Sequence, residues 1–177
     1  MASIGSRIVR AARLDPALYE EVEADKSATG QAFLVVVLAS VAGGIGAIGA
    51  KGISGLAIGA FGDAFGWIIW ALTILLVGTK ILATAETRSD MGELLRTLGF
   101  AASPGLLRVA GIVPGLTGPV EIVVTLWILA ATVVAVRQAL DYTSTWRAIA
   151  VCVIGFLAQL LIIVVLLGLL GKSLKAA

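Results

Sequence analysis

The chain contains no histidine and no asparagine, and it has a single cysteine. Without histidine it lacks the commonest general base and the commonest metal ligand. Without asparagine it has no acceptor for N-glycosylation. The lone Cys152, in the apolar run "AIAVCVIGFL", cannot close an internal disulfide and reads as a small buried apolar side chain. Charge is scarce as well. Asp, Glu, Lys and Arg make up 14% of the 177 residues, where soluble domains carry about 25%. Such a chain cannot cover a water-facing surface in the usual way. Its 59% of hydrophobic residues and mean hydropathy of +1.06 point to a membrane protein. The net charge of +2 comes with no basic block interleaved with aromatics, so no nucleic-acid partner is expected.

What is present is a series of long apolar runs. A transmembrane helix needs about 20 such residues, and the sequence offers five: 30–50, 64–84, 94–113, 120–140 and 148–171. The expected fold is therefore all-α, a polytopic integral membrane bundle of five transmembrane helices. Residues 1–29 would form a cytoplasmic segment of short amphipathic helices, and residues 172–177 a short tail. Between the first two runs, "KGISGLAIGAFGD" suits a loop or a short interfacial helix. The start does not have the form of a cleavable signal peptide, because the acidic "YEEVEAD" precedes the first apolar run and that run is too long. The whole chain is expected to be retained.

Basic residues near span ends set the orientation. With the N-terminus inside, that side carries nine of them, from Arg7 to Arg147, and the other side three, Lys51, Lys172 and Lys175. The expected location is thus the inner (plasma) membrane, N-terminus cytoplasmic and C-terminus outside. Trp146 falls at the inner interface, and Trp67 and Trp70 near the outer one. Residues 3–13 place Ile4, Ile8 and Ala12 on one helical face and Arg7, Arg10 and Arg13 on the other, a pattern suited either to an anionic lipid surface or to packing on neighbouring loops. Asp15 is placed to cap a helix opened by Pro16.

Glycines at 43, 46, 49, 52, 55, 59, 62 and 66 keep small residues toward a neighbour, which allows close helix approach in lipid. Packing inside the monomer is the preferred reading; a homo-oligomer interface is the alternative. Polar groups at depth are few. Serine and threonine in spans bond their own backbone carbonyls, and Gln159 suits a hydrogen bond between helices. Arg108 and Glu121 flank the turn "PGLTGP", where antiparallel passages would bring them to the same depth. An ion pair, or snorkelling of the arginine, would satisfy both. No serine–base pair, metal constellation or phosphate-cradling loop is present in the sequence. No enzyme activity, cofactor or metal is expected.

The segment from "ELLRTLGFAASPGLL" to "STWRAIAV" resembles the core of the Yip family, the Ypt/Rab-interacting five-span membrane proteins, in its bacterial branch. The likeness rests on Gly99 with Phe100, then Pro104, a short turn into a tryptophan-bearing span, and Arg137 before "STWRAIAV". It implies five spans with a cytoplasmic N-terminus and a role in organising membranes. Eukaryotic members are implicated in trafficking and in binding prenylated GTPases, through an acidic Asp-Leu-Tyr-Gly-Pro type motif. Here the nearest stretch, "DPALY", does not match, which puts GTPase binding in doubt. The leading functional expectation is a non-enzymatic scaffold for lipid or a membrane-protein partner; the alternative is a small transporter or channel subunit for a solute or ion.

Orientation has a direct test in a Cys152→Ala background. Cysteine at Ser3 is expected to be shielded from an impermeant thiol reagent in intact cells, and cysteine at Ala177 to be labelled. The reverse pattern would invert the assignment.

Overall fold

A computed structural model describes residues 3–48 and 54–176, with side chains for 3–48, 62–162 and 164. Every regular element among the described residues is helical. In chain order they are α1 (Ile4–Ala12), α2 (Pro16–Ala24), α3 (Thr29–Gly46), α4 (Ser54–Leu76), α5 (Met91–Ala101), α6 (Thr117–Ala139) and α7 (Thr145–Ala176). A 3₁₀ turn, Lys26–Ala28, leads into α3, a π turn, Val77–Ile81, ends α4, and a 3₁₀ run, Ser103–Ile112, follows α5. Four stretches are long and apolar enough to cross a membrane: Lys26–Gly46, Gly62–Ile81, Thr117–Ala139 and Thr145–Ile162. They correspond to four of the five expected spans, and α7 continues through most of the expected tail. The glycine-rich stretch from Ser54 onward is helix, the start of α4.

The expected span 94–113 is not a single α-helix. It opens with a capping box, in which Asp90 accepts from the Glu93 amide and Glu93 from the Asp90 amide, but the α-helix stops at Ala101. Pro104 has no N–H to give and its ring crowds the preceding turn. Glycines at 105 and 111 weaken the α conformation further. The chain tightens instead to 3₁₀ geometry, with the Gly105 amide bonded to the Ala102 carbonyl at 2.8 Å.

This run packs most extensively on α3, in parallel with it. A Cβ added at Gly99 would stand 2.8 Å from Ala32 Cβ, one at Gly105 2.9 Å from Ala39 Cβ, and one at Gly111 3.2 Å from the Gly46 carbonyl oxygen. Ala32 to Gly46 is about 21 Å at the α rise. Gly99 to Gly111 is two steps shorter, yet covers about 22 Å because most of it rises at about 2.0 Å per residue. The two backbones therefore stay in register over most of α3. We call the end at Gly46 and Gly111 the rim and the opposite end the base. Gly43 and Gly46 of the glycine series pack inside the chain, against Arg108 and Gly111, whereas Gly62 and Gly66 face open space. What surrounds Gly49, Gly52, Gly55 and Gly59 lies outside the described residues.

Side chains from the bundle close the ends of the short helices and of α4. A helix leaves its last carbonyls without partners. For α1, Trp127 Nε1 donates to the Ala12 carbonyl at 2.7 Å and the Tyr19 hydroxyl to the Ala11 carbonyl at 3.3 Å. For α2, the guanidinium of buried Arg96 donates to the carbonyls of Val22, at 2.9 Å, and Glu23. For α4, the Tyr142 hydroxyl lies 3.0 Å from the carbonyls of both Gly78 and Leu82. Asp15 caps α2 through the Ala17 amide at 3.1 Å, with Pro16 at the first position.

Of the two settings open to the α1 arginines, Arg7 takes the packed one and does not lie on the membrane surface. Arg7 is 3% exposed and donates to Glu21 Oε1 (3.0 Å), Gln31 Oε1 (3.0 Å) and Asp25 Oδ2 (2.7 Å). Arg10 bonds Asp15 and Glu21. Hydrogen bonds from Ser27 and Arg7 hold Asp25 down to about 2, and those from Arg10 and Arg7 hold Glu21 below its ordinary value. The network thus stays ionised at neutral pH. The charge that made α1 look like a surface helix is spent on α2 and α3. Only Arg13 of the three is exposed and, among the described residues, unpaired.

Close backbone contact at the rim makes a signed prediction. Gly46→Ala would drive a methyl group into the Arg108 carbonyl, an overpacking expected to cost about 1–3 kcal/mol. Gly30, also helical but with nothing within 4 Å, should gain up to about 1 kcal/mol on Gly30→Ala. Thermal denaturation in detergent reads both; equal effects would refute the close approach.

Candidate functional site: a polar chamber within the bundle

Three-residue periodicity in the 3₁₀ run stacks positions i and i+3 on one face. Gly105, Arg108 and Gly111 all face α3 in this way, against Ala39, Gly43 and Gly46. Gly43 leaves room for the arginine stem, since a Cβ there would stand 3.3 Å from Arg108 Cδ. The Arg108 head emerges beside α6, where Nη2 lies 3.1 Å from Glu121 Oε1. Thr125 donates to the same Glu121 oxygen at 3.3 Å. The arginine side chain is 25% exposed and the glutamate 57%. Glu121 is therefore the outer, more exposed partner.

Arg108 also lines a chamber of about 350 Å³ toward the rim, built from α3, α4, the α5 passage, α6 and α7. Its polar lining is Ser40, Asp63, Trp67, Arg108, Thr132 and Gln159. Ser40 donates to its own helix, at the Val36 carbonyl. Two other lining residues carry buried donors with no acceptor among the described residues, at Arg108 Nε and Trp67 Nε1. An unpaired buried donor costs about 1–3 kcal/mol, so the pair marks a place suited to a ligand oxygen or water. Gly62 and Asp63, both exposed, open the chamber at the rim side of α4.

The structure thus brings Arg108 together with Glu121, and Arg108 with Gln159 across the chamber. Gln159 forms no interhelical hydrogen bond among the described residues, and its side chain faces the cavity. The family-motif residues lie in the packing: Gly99 against Ala32, with Phe100 and Pro104 both fully buried. Trp67 and Trp70 line the chamber, while Trp146 is 79% exposed. Arg137 holds the turn that follows α6, bonding the Tyr142 carbonyl at 3.2 Å. Sequence reasoning missed Asp63 and Trp67 as lining residues. The available signal was the spacing of glycines and tryptophans, Gly62, Gly66 with Trp67 and Trp70, on one α4 face.

A second cavity, about 560 Å³, lies at the base among Glu20, Glu23, Glu93 and Asp141. Burial, then the carboxylates of Glu93 and Asp141, push Glu23 up to about 7. No cluster of His, Cys, Asp or Glu able to hold a metal ion exists among the described residues. Compared with known proteins, the chain matches no family model, no curated protein and no solved structure.

The exposure of Glu121 sets the magnitude expected for its pair with Arg108. Exposed ion pairs contribute about 0–1 kcal/mol, whereas breaking a buried one costs about 3–5 kcal/mol. A double-mutant cycle with Arg108→Met and Glu121→Gln, read by thermal stability, should give a coupling of about 1 kcal/mol or less. A coupling above about 3 kcal/mol would mean a dry pair.

Proposed function

We propose that the chain is a non-catalytic membrane protein with five passages that binds another membrane component and holds it in place, an organiser or scaffold of the Yip type. The observation that carries this reading is the chamber, where two buried donors have no acceptor among the described residues. Five passages are supported by the register between α3 and residues 99–111, which cover similar distances in the same direction. The 3₁₀ rise lets the short segment from Met91 to Ile112 reach about 36 Å, enough for a hydrocarbon core of about 30 Å. Alternating passages then carry α4 and α6 back, in keeping with the charge bias that puts the N-terminus and the base in the cytoplasm of a cell with an inner (plasma) membrane. A second copy of the chain or another membrane protein fits the outward faces of α6 and α7, where Ile122, Leu126 and Leu161 are each more than 60% exposed.

The lining favours one other reading, a small transporter or channel subunit, because every passage contributes to a partly charged chamber. Against it, the base half is filled by Ile74, Leu94, Leu98, Phe100 and Ala135, each less than 5% exposed. A path through would have to part this core.

Single cysteines in a Cys152→Ala background separate the two. Cysteine at Ser40 or Gln159 is expected to react with an impermeant reagent from the rim side only, and cysteine at Thr97, fully buried toward the base, from neither side. Reaction of chamber positions from both sides would establish the transport reading. No reaction at Ser40 or Gln159 from either side would remove the chamber as a binding site.

A further inference from the structure

Trp70, Ile128, Thr132 and Gln159 belong to two cavities at once. On one side of them lies the polar chamber. On the other lies an apolar groove of about 610 Å³ between α6 and α7, walled by Leu129, Val153, Phe156 and Leu157. Those four side chains are each more than half exposed, so in a bilayer this groove opens onto acyl chains. A polar end and an apolar end that share these four wall residues have the layout of a site for an amphiphile. Their combined size falls within the range of ligand cavities, roughly 300–1,000 Å³.

We propose that the chamber and groove together hold one zwitterionic phospholipid of the ethanolamine type, its phosphate at Arg108 and Trp67 and one acyl chain between α6 and α7. This rests on the reading of the chamber as a binding site and names its ligand. The phosphate follows from the donors. Arg108 presents a planar donor fork suited to phosphate oxygens, and one corner of it, Nη2, is already taken by Glu121 at 3.1 Å. The buried Nε and the Trp67 Nε1 are the two chamber donors left without acceptors among the described residues. A phosphate bonded to both completes their hydrogen bonding without displacing Glu121. The ammonium follows from Asp63. Its carboxylate lines the same chamber and, with Glu121 nearby, disfavours a headgroup whose only charge is negative. The aromatic faces of Trp67 and Trp70 beside it add a cation–π surface. The chain follows from the groove that adjoins the chamber at Trp70 and Ile128, with Gly66 leaving open space on the chamber side of α4.

The test uses the full chain purified in detergent, with binding read by native mass spectrometry and by melting temperature. The probes are phosphatidylethanolamine, phosphatidylglycerol, and phosphoethanolamine without a chain. Phosphatidylethanolamine at about a hundredfold excess over its Kd should raise the melting temperature by about 5 °C. It should bind at least tenfold more tightly than phosphatidylglycerol, and phosphoethanolamine should give no shift at the same concentration. Trp67→Phe keeps the ring and removes one donor, so it should weaken binding about tenfold. Asp63→Asn should erase the preference over phosphatidylglycerol. Arg108→Gln should abolish the shift; if that variant does not fold, Trp67→Phe carries the donor test. Equal binding of the two lipids would overturn this proposal while leaving the chamber a binding site. So would binding of free phosphoethanolamine as tight as the lipid. Unaltered lipid affinity in Trp67→Phe and Asp63→Asn would place the lipid elsewhere and overturn it too. Failure of all three probes, with chamber cysteines still reactive, would overturn the ligand but not the site; unreactive chamber cysteines would overturn both.

Discussion

Between α3 and residues 99–111 the two backbones meet with almost no side chain interposed, at Gly46, Gly99, Gly105 and Gly111. In lipid, apolar burial gives little drive for helices to associate, and close van der Waals packing through small residues takes its place. The contact also has to hold a stretch of 3₁₀ helix, whose hydrogen bonds are poorer than those of an α-helix and whose runs seldom exceed a few residues. Ten residues of it persist here because α3 supports one whole face. Much else follows from this contact. It brings Gly43 against the stem of Arg108 and turns the guanidinium toward α6. It also leaves the space between α3, α4 and α6 that becomes the chamber.

The short N-terminal helices depend on a different set of hydrogen bonds. α1 and α2 have nine residues each, shorter than isolated helices need to be stable in water. They are held by side chains of the bundle that reach their terminal carbonyls, Trp127 for α1 and Arg96 for α2. Arg7 then ties both to the start of α3. Its position inside the protein is consistent with this role, since a buried guanidinium is tolerated only with its donors occupied.

Four of the apolar helices were legible from hydropathy alone, because each is continuous and free of proline beyond its first turn. The cap at Asp15 was legible for the same local reason. The passage 94–113 has the hydropathy of a span, but its conformation turns on Pro104 and on the three-residue spacing of Gly105, Arg108 and Gly111. That spacing is the period of a 3₁₀ helix and looks like noise on an α-helical template. The setting of Arg7 stayed open between membrane surface and packing because amphipathicity counts a charge without asking whether a partner waits elsewhere, and Glu21, Asp25 and Gln31 lie 14 to 24 residues downstream. The chamber was hidden for a further reason. Its lining comes from five separate stretches of the chain, and only the packing decides that Asp63, Trp67 and Gln159 share a space with Arg108.

Helix type also governs length. Rewinding the ten residues Ser103–Ile112 as α-helix would shorten the passage by about 5 Å, nearly one α-turn. The turn at the rim would be drawn inward, Gly111 would slip off Gly46, and Arg108 would rotate away from the face it now shares with Gly105. The glycine contact with α3 therefore acts as a clamp on an extended spring. The reach of this passage and the direction of its arginine are two readings of a single mechanical variable, and whatever loosens the clamp changes both together.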